Sequence, residues 1–590
     1  MVALALSFGC TAEVGPRVKQ TKPQPGAGGD PVPGGGATGS GNAPGGGGGV
    51  SGTGNAPGTG NTPGTGSVSG TGGAITVITP TKVLDSGRVV LRRLNKTEYN
   101  NTVRDLLGST TAPADTFPSD FAGRDGFDTS GVVLSFSDAL FESVEAAGNK
   151  LIDDLVARPA TDPLRTKVLL CQPTAATLST CLTQILNPFM KNAYRRPVTA
   201  AEVQDLVALA MGLPATATDP MRGVSAALKT VLLSPHFLFH VEIGDPASKA
   251  AKPISEYELA SRLSYFLWST MPDAALMQAA DAAKLTAAGG ADLGTQITRM
   301  LADAKAQALT DNFAGQWLEI KNWSAVSPDA VKFKGKFDEA LRLAIPKEAN
   351  AFFASLIKEN QPLTQLLLAD YTFADARMAQ HYGLPAGGAT FAKVSLAGTP
   401  RVGLLTQEMF LTTTSFADRT SPVKRGNFVL EKILCDPTPP PPPNIPDLAV
   451  TPTSGTVRSA LEAHRANAFC ASCHDYIDPM GVPFENFDAI GAYQTMDNGS
   501  PIVTSTTLKG GQMLNGPKEL ATFLANDKRF AACVMQQALT YAVGRSFDTQ
   551  DGKNYVAGIS EPFMGKGTWP ELLKTVATSE AFLTRRGEGP

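Results

Sequence analysis

The stretch Asn95–Leu107, NKTEYNNTVRDLL, carries the sequence signature of a complete α-helix. Asn95 is a favourable N-cap residue, and Glu98 follows at the spacing of a capping box. The apolar side chains recur about every 3.6 residues and therefore share one face. Gly108 suits the left-handed position that commonly ends a helix. The stretch predicts an amphipathic helix that ends before Gly108.

Two further capping boxes lie downstream, at Thr199 with Glu202 and at Ser255 with Glu258. Each precedes apolar residues at helical spacing. Helical periodicity continues through three later stretches, 285–325, 336–360 and 570–585. Segments typical of strands are few and short, such as ITVIT at 75–79. Since 590 residues with 42% hydrophobic content exceed one domain, the patterns predict a mainly α, multi-module body.

The segment before this helical body has a different composition. Residues 11–80 are dominated by Gly, Pro, Ser, Thr and Asn, with few apolar side chains. Such a segment buries too little surface to offset the entropy lost on ordering, so we expect a disordered Gly/Pro-rich tether. A second Pro-rich stretch, 437–446, is typical of a rigid spacer. The alternative for that stretch is a ligand for an aromatic-lined groove.

Residues 1–10 have the pattern of a lipoprotein-type signal segment. MVALALSF is apolar, and the small residue Gly9 precedes Cys10. The pattern predicts lipidation of Cys10 and attachment to a membrane through the lipid anchor. It implies an exported protein of the cell envelope, periplasmic or on the outer surface. The alternative is an unstructured N-terminal segment with an unmodified cysteine.

Charge and motif content exclude several classes of function. The formal net charge of −3 gives no support for a basic face, so we expect no nucleic-acid binding. No internal apolar run approaches the ~20 residues that span a bilayer. The G-x-S-x-G, H-E-x-x-H and Walker-type motifs are absent from the sequence, which leaves a hydrolase unsupported.

The strongest chemical motif is Cys470-Ala471-Ser472-Cys473-His474, which reads C-x-x-C-H. This is the spacing of covalent haem c attachment, in which two thiols form thioethers and the adjacent imidazole binds the iron as proximal ligand. Two alternatives stay open: a zinc site that adds His464, and a redox-active dithiol. Haem c is favoured because His474 directly follows Cys473 and no second C-x-x-C pair is present.

The sixth iron ligand would decide what such a haem does. A Met or His there gives a saturated iron suited to electron transfer, whereas an open position permits small-molecule binding or peroxide chemistry. Met513, in the Gly-rich stretch KGGQMLNG, is one candidate distal ligand and His464 is another. His464 could instead bond a haem propionate. The remaining methionines considered are Met480, Met496 and Met535.

Three carboxylates close to the motif could cap a turn or orient a group of the site. Asp478 could cap or orient the turn expected after His474. Glu485 or Asp488 could bond the second imidazole nitrogen and tune the basicity of the ligand. Turn capping is the alternative role for these carboxylates.

Four cysteines remain besides Cys10 and the C-x-x-C-H pair, and an oxidising compartment would allow them to form two disulfides. Three connectivities are possible. The short loop favours Cys171–Cys181, and Cys435–Cys533 follows by elimination. Four buried free thiols are the alternative.

Two other clusters have residue types that bind metals. His236 and His240 stand four apart with Glu242 beyond, but their aromatic and apolar surroundings favour a packed helix over a metal site. Four aspartates also surround a Gly-containing loop: Asp115, Asp120, Asp125 and Asp128. Their spacing departs from the EF-hand pattern of calcium sites.

Five stretches resemble modules of a family of exported bacterial proteins of unknown function. RRLNKTEYNNTVRDLLG (92–108) resembles the domain of unknown function 1587, and YRRPVTAAEV (194–203) resembles domain 1595. ELASRLSYFLWSTMPD (258–273) resembles domain 1592. HRANAFCASCHDYIDPMGVPFENFDAIG (464–491) resembles domain 1588, and GPKELATFLANDKRF (516–530) resembles domain 1585.

The resemblance implies an order of modules: 1587 at 86–150, 1595 at 185–245, 1592 at 252–385, 1588 with the C-x-x-C-H motif at 398–498, and 1585 at 508–585. It supports a C-terminal cytochrome c-like region and supplies no substrate.

Taken together, we expect an exported protein that transfers single electrons through one haem c, to or from a redox partner protein. The alternatives are a surface binding or scaffold protein, for example for glycans, without a functional haem, and an open-site haem oxidase or peroxidase. The sequence leaves open whether the chain is an enzyme.

Overall fold

The structure is a computed structural model that describes residues 91–586, apart from gaps at 121, 124, 215, 217, 244–249, 287–290, 386–387, 389 and 440–455. Helices account for 59% of it and strands for 7%, which confirms the predicted mainly α fold. The described residues belong to one compact unit, Pro80–Pro590. The predicted signal segment with Cys10, the tether 11–80 and most of the Pro-rich spacer lie outside the described residues.

The first seven helices build the N-terminal part of the body around one hydrophobic core. They are α1 (Lys96–Leu107), α2 (Asp138–Ala157), α3 (Pro163–Val168), α4 (Leu178–Tyr194), α5 (Ala200–Met211), α6 (Pro220–Leu233) and α7 (Pro235–Leu238). Apolar residues at helical spacing, such as Leu182 and Leu186 of α4, are fully buried between them. Packing of these apolar faces stabilises the helices far more than intrinsic propensity does.

The middle of the chain forms α8 (Glu256–Trp268), α9 (Ala274–Asp281), α10 (Ala291–Ala302), α11 (Gly315–Trp317), α12 (Glu339–Lys358), α13 (Gln365–Leu368) and α14 (Ala376–Tyr382). The C-terminal part forms α15 (Glu408–Thr413), α16 (Pro422–Phe428), α17 (Val457–Arg465), α18 (Ala468–Gly481), α19 (Gly516–Asn526), α20 (Lys528–Val543), α21 (Gln550–Ser560), α22 (Trp569–Thr578) and α23 (Glu580–Leu583). The two parts share a second, larger core, in which Trp569 packs against Phe353 at a ring-centroid distance of 4.9 Å. None of the helices in the described ranges is both long and apolar enough to cross a bilayer.

The strands are short and pair two by two, always antiparallel. The pairs are β1 (Arg92–Arg93) with β2 (Phe239–His240), β3 (Ala251–Pro253) with β10 (Thr584–Arg586), β4 (Tyr371–Ala374) with β5 (Ala392–Ser395), β6 (Met496–Asp497) with β7 (Ser500–Pro501), and β8 (Ser505–Thr507) with β9 (Met513–Asn515). Three of these pairs are local hairpins or near neighbours in sequence. The β1–β2 and β3–β10 pairs join distant parts of the chain and tie its modules together.

Capping boxes begin three helices where the sequence predicts them. The Asn95 side chain accepts from the backbone N–H of Glu98, and the Glu98 carboxylate accepts from the Asn95 N–H. The same reciprocal bonds begin α5 at Thr199 and α8 at Ser255. Gly108 ends α1 in the left-handed region, with φ of 69°. Local hydrogen-bond chemistry therefore sets these helix starts.

The C-terminal residues complete the middle part of the body. Strand β10 pairs with β3 in the register Thr584 with Pro253 and Arg586 with Ala251. The buried guanidinium of Arg262 in α8 forms an ion pair with Glu242 and donates to the backbone carbonyl of Thr584. These contacts lock the end of the described chain onto α8.

Candidate functional site

The C-x-x-C-H motif lies on α18 (Ala468–Gly481), near its first turn. Asn467 caps the helix, with its side-chain oxygen accepting from the N–H of Phe469 at 2.9 Å. Cys470, Cys473 and His474 stand at positions i, i+3 and i+4, and residues at these separations lie on one face of a helix. The helix therefore presents both thiols and the imidazole together.

Both thiols of the motif are unpaired and partly exposed, unlike the other cysteines in the described part of the chain. Cys171 and Cys181 form one disulfide, with Cα atoms 5.8 Å apart. Cys435 and Cys533 form the other, with Cα atoms 5.2 Å apart. This is the pairing that loop length and elimination favour, and it leaves the α18 pair available for other chemistry.

The imidazole of His474 is held by a buried carboxylate one helical turn away. Its Nδ1 lies 2.9 Å from Oδ1 of Asp478, whose side chain is 1% exposed, whereas His474 itself is 15% exposed. Because Nδ1 is engaged, Nε2 is the nitrogen left for binding a ligand or metal. An outer carboxylate of this kind fixes the tautomer and ring orientation of a metal-binding histidine.

Glu485 and Asp488 do not bond the His474 imidazole, which was the role expected for them from the sequence. Their hydrogen bonds are to other groups. Asp488 accepts from the backbone N–H groups of Ile490 and Ala492, which is the turn-capping alternative. Glu485 is buried, accepts from the Thr420 hydroxyl at 2.8 Å, and burial raises its pKa to about 7. The orienting residue is Asp478.

Helix α18 is anchored by direct contact of its backbone with α16. A Cβ on Gly426 would clash with the carbonyl oxygen of Ile477, and a Cβ on Gly481 would clash with that of Pro422. Glycine is therefore required at both positions because no side chain fits between the two helices. The contact holds the C-terminal half of α18, and with it Asp478, in a fixed position.

The last turn of α17 packs beside the motif. The rings of His464 and His474 meet edge to face, with centroids 4.8 Å apart. Arg465 Nε lies 3.6 Å from Oδ2 of Asp478. In this arrangement the His464 ring contacts the His474 ring directly, and the assignment of His464 as a distal ligand stays a prediction.

Met513 lies on β9, and its side chain is 65% exposed. It lines a shallow cleft of about 600 Å³ together with Lys518 and Phe523 of α19. The β8–β9 hairpin is held against α18, since Lys509 at its tip donates to the Tyr476 hydroxyl. Met513 thus lies on an element that contacts the motif helix, and its assignment as the distal ligand also stays a prediction.

The remaining methionines occupy other environments. Met480 and Met535 belong to the core, and Met496 is about half exposed on β6.

The zinc alternative has no preassembled site. Within the described ranges, no group of three or more His, Cys, Asp and Glu side chains is arranged to hold a metal ion. His236 and His240 do not share one helix, because α7 ends at Leu238 and His240 belongs to β2. The Nε2 of His240 bonds Glu98 at 3.2 Å, and burial lowers the pKa of this histidine to about 4.

The aspartates of the Gly-containing loop have structural partners. Asp120 pairs with the guanidinium of Arg93 at 2.7 Å and accepts from the backbone N–H of Lys96. Asp128 accepts from the side-chain amides of Asn95 and Gln316. These bonds fix the loop against the start of α1.

The donor set of α18 fits a covalently attached haem c. Two unpaired thiols at the required spacing share a face with an imidazole that bonds Asp478 through Nδ1, the ring nitrogen that would not bind the iron. Exposed apolar side chains flank them, with Phe469 60% and Tyr476 46% exposed. A large apolar group on this face would remove that surface from water, which is favourable by about 25 cal/mol per Å².

One buried polar cluster has no signal in the sequence. Glu348 of α12 accepts from the hydroxyls of Thr372 at 2.6 Å and Tyr382 at 2.8 Å. The backbone N–H of Glu408 donates to Tyr382, and its carboxylate lies 3.0 Å from Nε2 of His381. These residues come from separate stretches of chain, so their contacts depend on the tertiary fold alone.

Five regions of the chain match family models, each described as a protein of unknown function. The matches are DUF1587 at 92–157, DUF1595 at 181–242, DUF1592 at 254–384, DUF1588 at 401–497 and DUF1585 at 510–582. These are the five modules named from the resemblance, and the C-x-x-C-H motif falls within the DUF1588 match. No curated protein and no solved structure matches the chain.

Proposed function

We propose that the chain is an exported, c-type cytochrome-like protein that transfers single electrons. It binds one haem c through Cys470 and Cys473, with His474 as the proximal iron ligand. The observation that carries the proposal is the single face of α18 that presents two unpaired thiols and an imidazole oriented by a buried carboxylate. When bound, haem c supplies a one-electron iron couple.

Each residue of the face has a separate role. The thiols of Cys470 and Cys473 tether the group to α18 at two points, and Nε2 of His474 binds from the same helix. Asp478 holds the imidazole in the tautomer that leaves Nε2 free. The Gly426 contact between α16 and α18 keeps this assembly rigid, as a functional site on a supported helix requires.

The surface around the motif supports a redox partner protein. A haem that covers Phe469 and Tyr476 would replace them as the exposed apolar part of this surface, and exposed apolar patches mark sites where proteins meet. Lys509 adds a positive charge over the Tyr476 ring at 3.9 Å.

Location in the cell envelope, through a lipid anchor on Cys10, is part of the same proposal. The two disulfides support it, because such bonds persist in oxidising compartments outside the cytoplasm.

Covalent haem is tested by expressing the full chain with a haem c maturation system. A haem stain on a denaturing gel and a pyridine haemochrome spectrum then report attachment. We expect one haem per chain in the wild type and none in the Cys470→Ala/Cys473→Ala variant. Ser472→Ala changes an exposed residue inside the motif and serves as the matched control, with attachment retained. A folded, colourless wild-type protein would contradict the proposal.

A second candidate function is that of an open-site haem oxidase or peroxidase. This candidate applies if Met513 stays in the α19 cleft, which it lines, and does not bind the iron. Carbon monoxide separates the two candidates: an open site changes the spectrum of the reduced haem, and a saturated electron-transfer site leaves it unchanged.

A further inference from the structure

We infer that Asp478 is a positioning residue that makes His474 an electron-rich ligand and thereby keeps the reduction potential of the haem low. The inference rests on the proposed function and concerns how the protein sets the reduction potential of the proposed haem. It begins from the bond between His474 Nδ1 and Asp478 Oδ1, which is 2.9 Å long. Both residues belong to α18, four positions apart, so the helix itself fixes their separation.

The carboxylate of Asp478 bonds His474 through Oδ1 and pairs with the Arg465 guanidinium through Oδ2. Its side chain is 1% exposed, so water screens it little. Within the described part of the chain, Oδ2 has no hydrogen-bond partner, and Nε of Arg465 likewise has none. Arg465 faces Oδ2 at 3.6 Å, beyond a hydrogen bond, and is 28% exposed. The strong, charge-assisted bond of this carboxylate is therefore the one to the imidazole.

A carboxylate bonded to Nδ1–H draws that proton toward itself and raises the basicity of the other ring nitrogen. The iron ligand Nε2 then donates more electron density, which stabilises Fe(III) relative to Fe(II). The Arg465 guanidinium offsets part of the carboxylate charge, so the effect on the potential acts through the bond to the imidazole. The haem is thus set to give an electron to an acceptor with a higher potential.

The neighbouring Asp475 provides a matched control on the same helix. It carries the same charge beside His474, but it is 54% exposed and lies 4.0 Å from Nη1 of Arg465. Solvent screens a charge at such a site strongly. Asp475→Asn therefore removes a nearby carboxylate without removing the bond to the imidazole.

The test is a spectroelectrochemical titration of the haem-loaded full chain, in the wild type and in Asp478→Asn, Asp478→Glu and Asp475→Asn. We expect a positive shift of the midpoint potential in Asp478→Asn and a potential near that of the wild type in Asp475→Asn. Asp478→Glu keeps the carboxylate and is expected to restore the low potential. Equal potentials in the wild type and Asp478→Asn, both with covalent haem, overturn this inference alone. A wild type without covalent haem overturns the proposed function and this inference with it.

A second readout uses the haem-free protein and does not depend on the loaded site. Nitrogen NMR of ¹⁵N-histidine-labelled chain distinguishes the two imidazole tautomers. We expect His474 to carry its proton on Nδ1 in the wild type and to shift toward the Nε2–H tautomer in Asp478→Asn. A wild type that already carries the proton on Nε2 contradicts the inference.

Discussion

Glu348 shows how complete burial changes the proton affinity of a carboxyl group. Its oxygens accept from the hydroxyls of Thr372 and Tyr382, and burial raises its pKa to about 7. In the unfolded chain a Glu carboxyl titrates near 4.5. Between these two values the folded state holds a proton that the unfolded state has released. The free energy of unfolding therefore falls as the pH rises from about 4.5 to about 7.

Glu348→Gln removes this titration and keeps the shape of the side chain. Relative to the wild type, we expect the variant to gain about 3 kcal/mol in free energy of unfolding between pH 5 and pH 8. Urea unfolding at pH 5, 6, 7 and 8 measures it. Glu359→Gln, at a part-exposed carboxylate paired with Lys393, makes the same substitution at the surface and controls for the change of residue type. A difference between Glu348→Gln and the wild type that stays constant from pH 5 to pH 8 would contradict the raised pKa of Glu348.

The contact between Asp478 and His474 could not be predicted from the sequence alone. Asp478 was expected to lie in a turn after His474, and Glu485 or Asp488 was expected to bond the imidazole. In the structure α18 continues through Pro479 to Gly481. Continuation of the helix puts Asp478 one turn after His474, and the contact follows from helix geometry.

At the scale of elements, the contact between α16 and α18 depends on two residues without side chains. We expect Gly426→Ala to destabilise the protein by about 1–3 kcal/mol, because the added methyl overlaps the Ile477 carbonyl and forces the two helices apart. Chemical denaturation measures the loss.

Gly558 supplies the matched control for this prediction. It lies within α21, and a Cβ there would meet nothing within 4 Å. Gly558→Ala should be stabilising by about 0.5–1 kcal/mol, since alanine has the better helix propensity. Similar changes in stability for the two substitutions would argue against close helix packing at Gly426.

Elements were predictable where their determinants are local. The capping boxes at Asn95, Thr199 and Ser255 begin three helices in the structure, because a cap is formed within four residues of chain. The stretch around His240 was expected to continue a helix and instead forms β2. Its partner β1 lies far back in the sequence, at Arg92–Arg93. No local sequence pattern predicts that two strands so far apart will pair.

At the scale of the whole molecule, the two disulfides close loops of different length. Cys435 and Cys533 are 98 residues apart, and Cys171 and Cys181 are 10 apart. A cross-link restricts the unfolded chain more when its loop is longer. Removing Cys435–Cys533 by alanine substitution should cost about 5 kcal/mol, and removing Cys171–Cys181 should cost about 3 kcal/mol. Guanidinium unfolding of the two double variants measures the difference, and equal losses would contradict the loop-length argument.

The helical class of the body could be anticipated from periodicity, since apolar residues at helical spacing mark the buried face of an amphipathic helix. The way the modules join could not. Glu348, Tyr382 and Glu408 meet only after three separate stretches have packed, and each residue taken alone reads as an ordinary helical position. The C-x-x-C-H motif could be recognised in the sequence because its two thiols and its imidazole lie within five consecutive residues.

The pairing of β3 with β10 has a consequence for the order in which the protein is made. A ribosome delivers Ala251–Pro253 long before Thr584–Arg586, and the carbonyl of Thr584 that Arg262 bonds arrives equally late. The middle of the chain therefore cannot complete its packing until residue 586 has been synthesised, and part of its interior stays uncovered until then. The proposed export across a membrane would fit this delay, because translocation channels accept polypeptides that have not yet closed their fold.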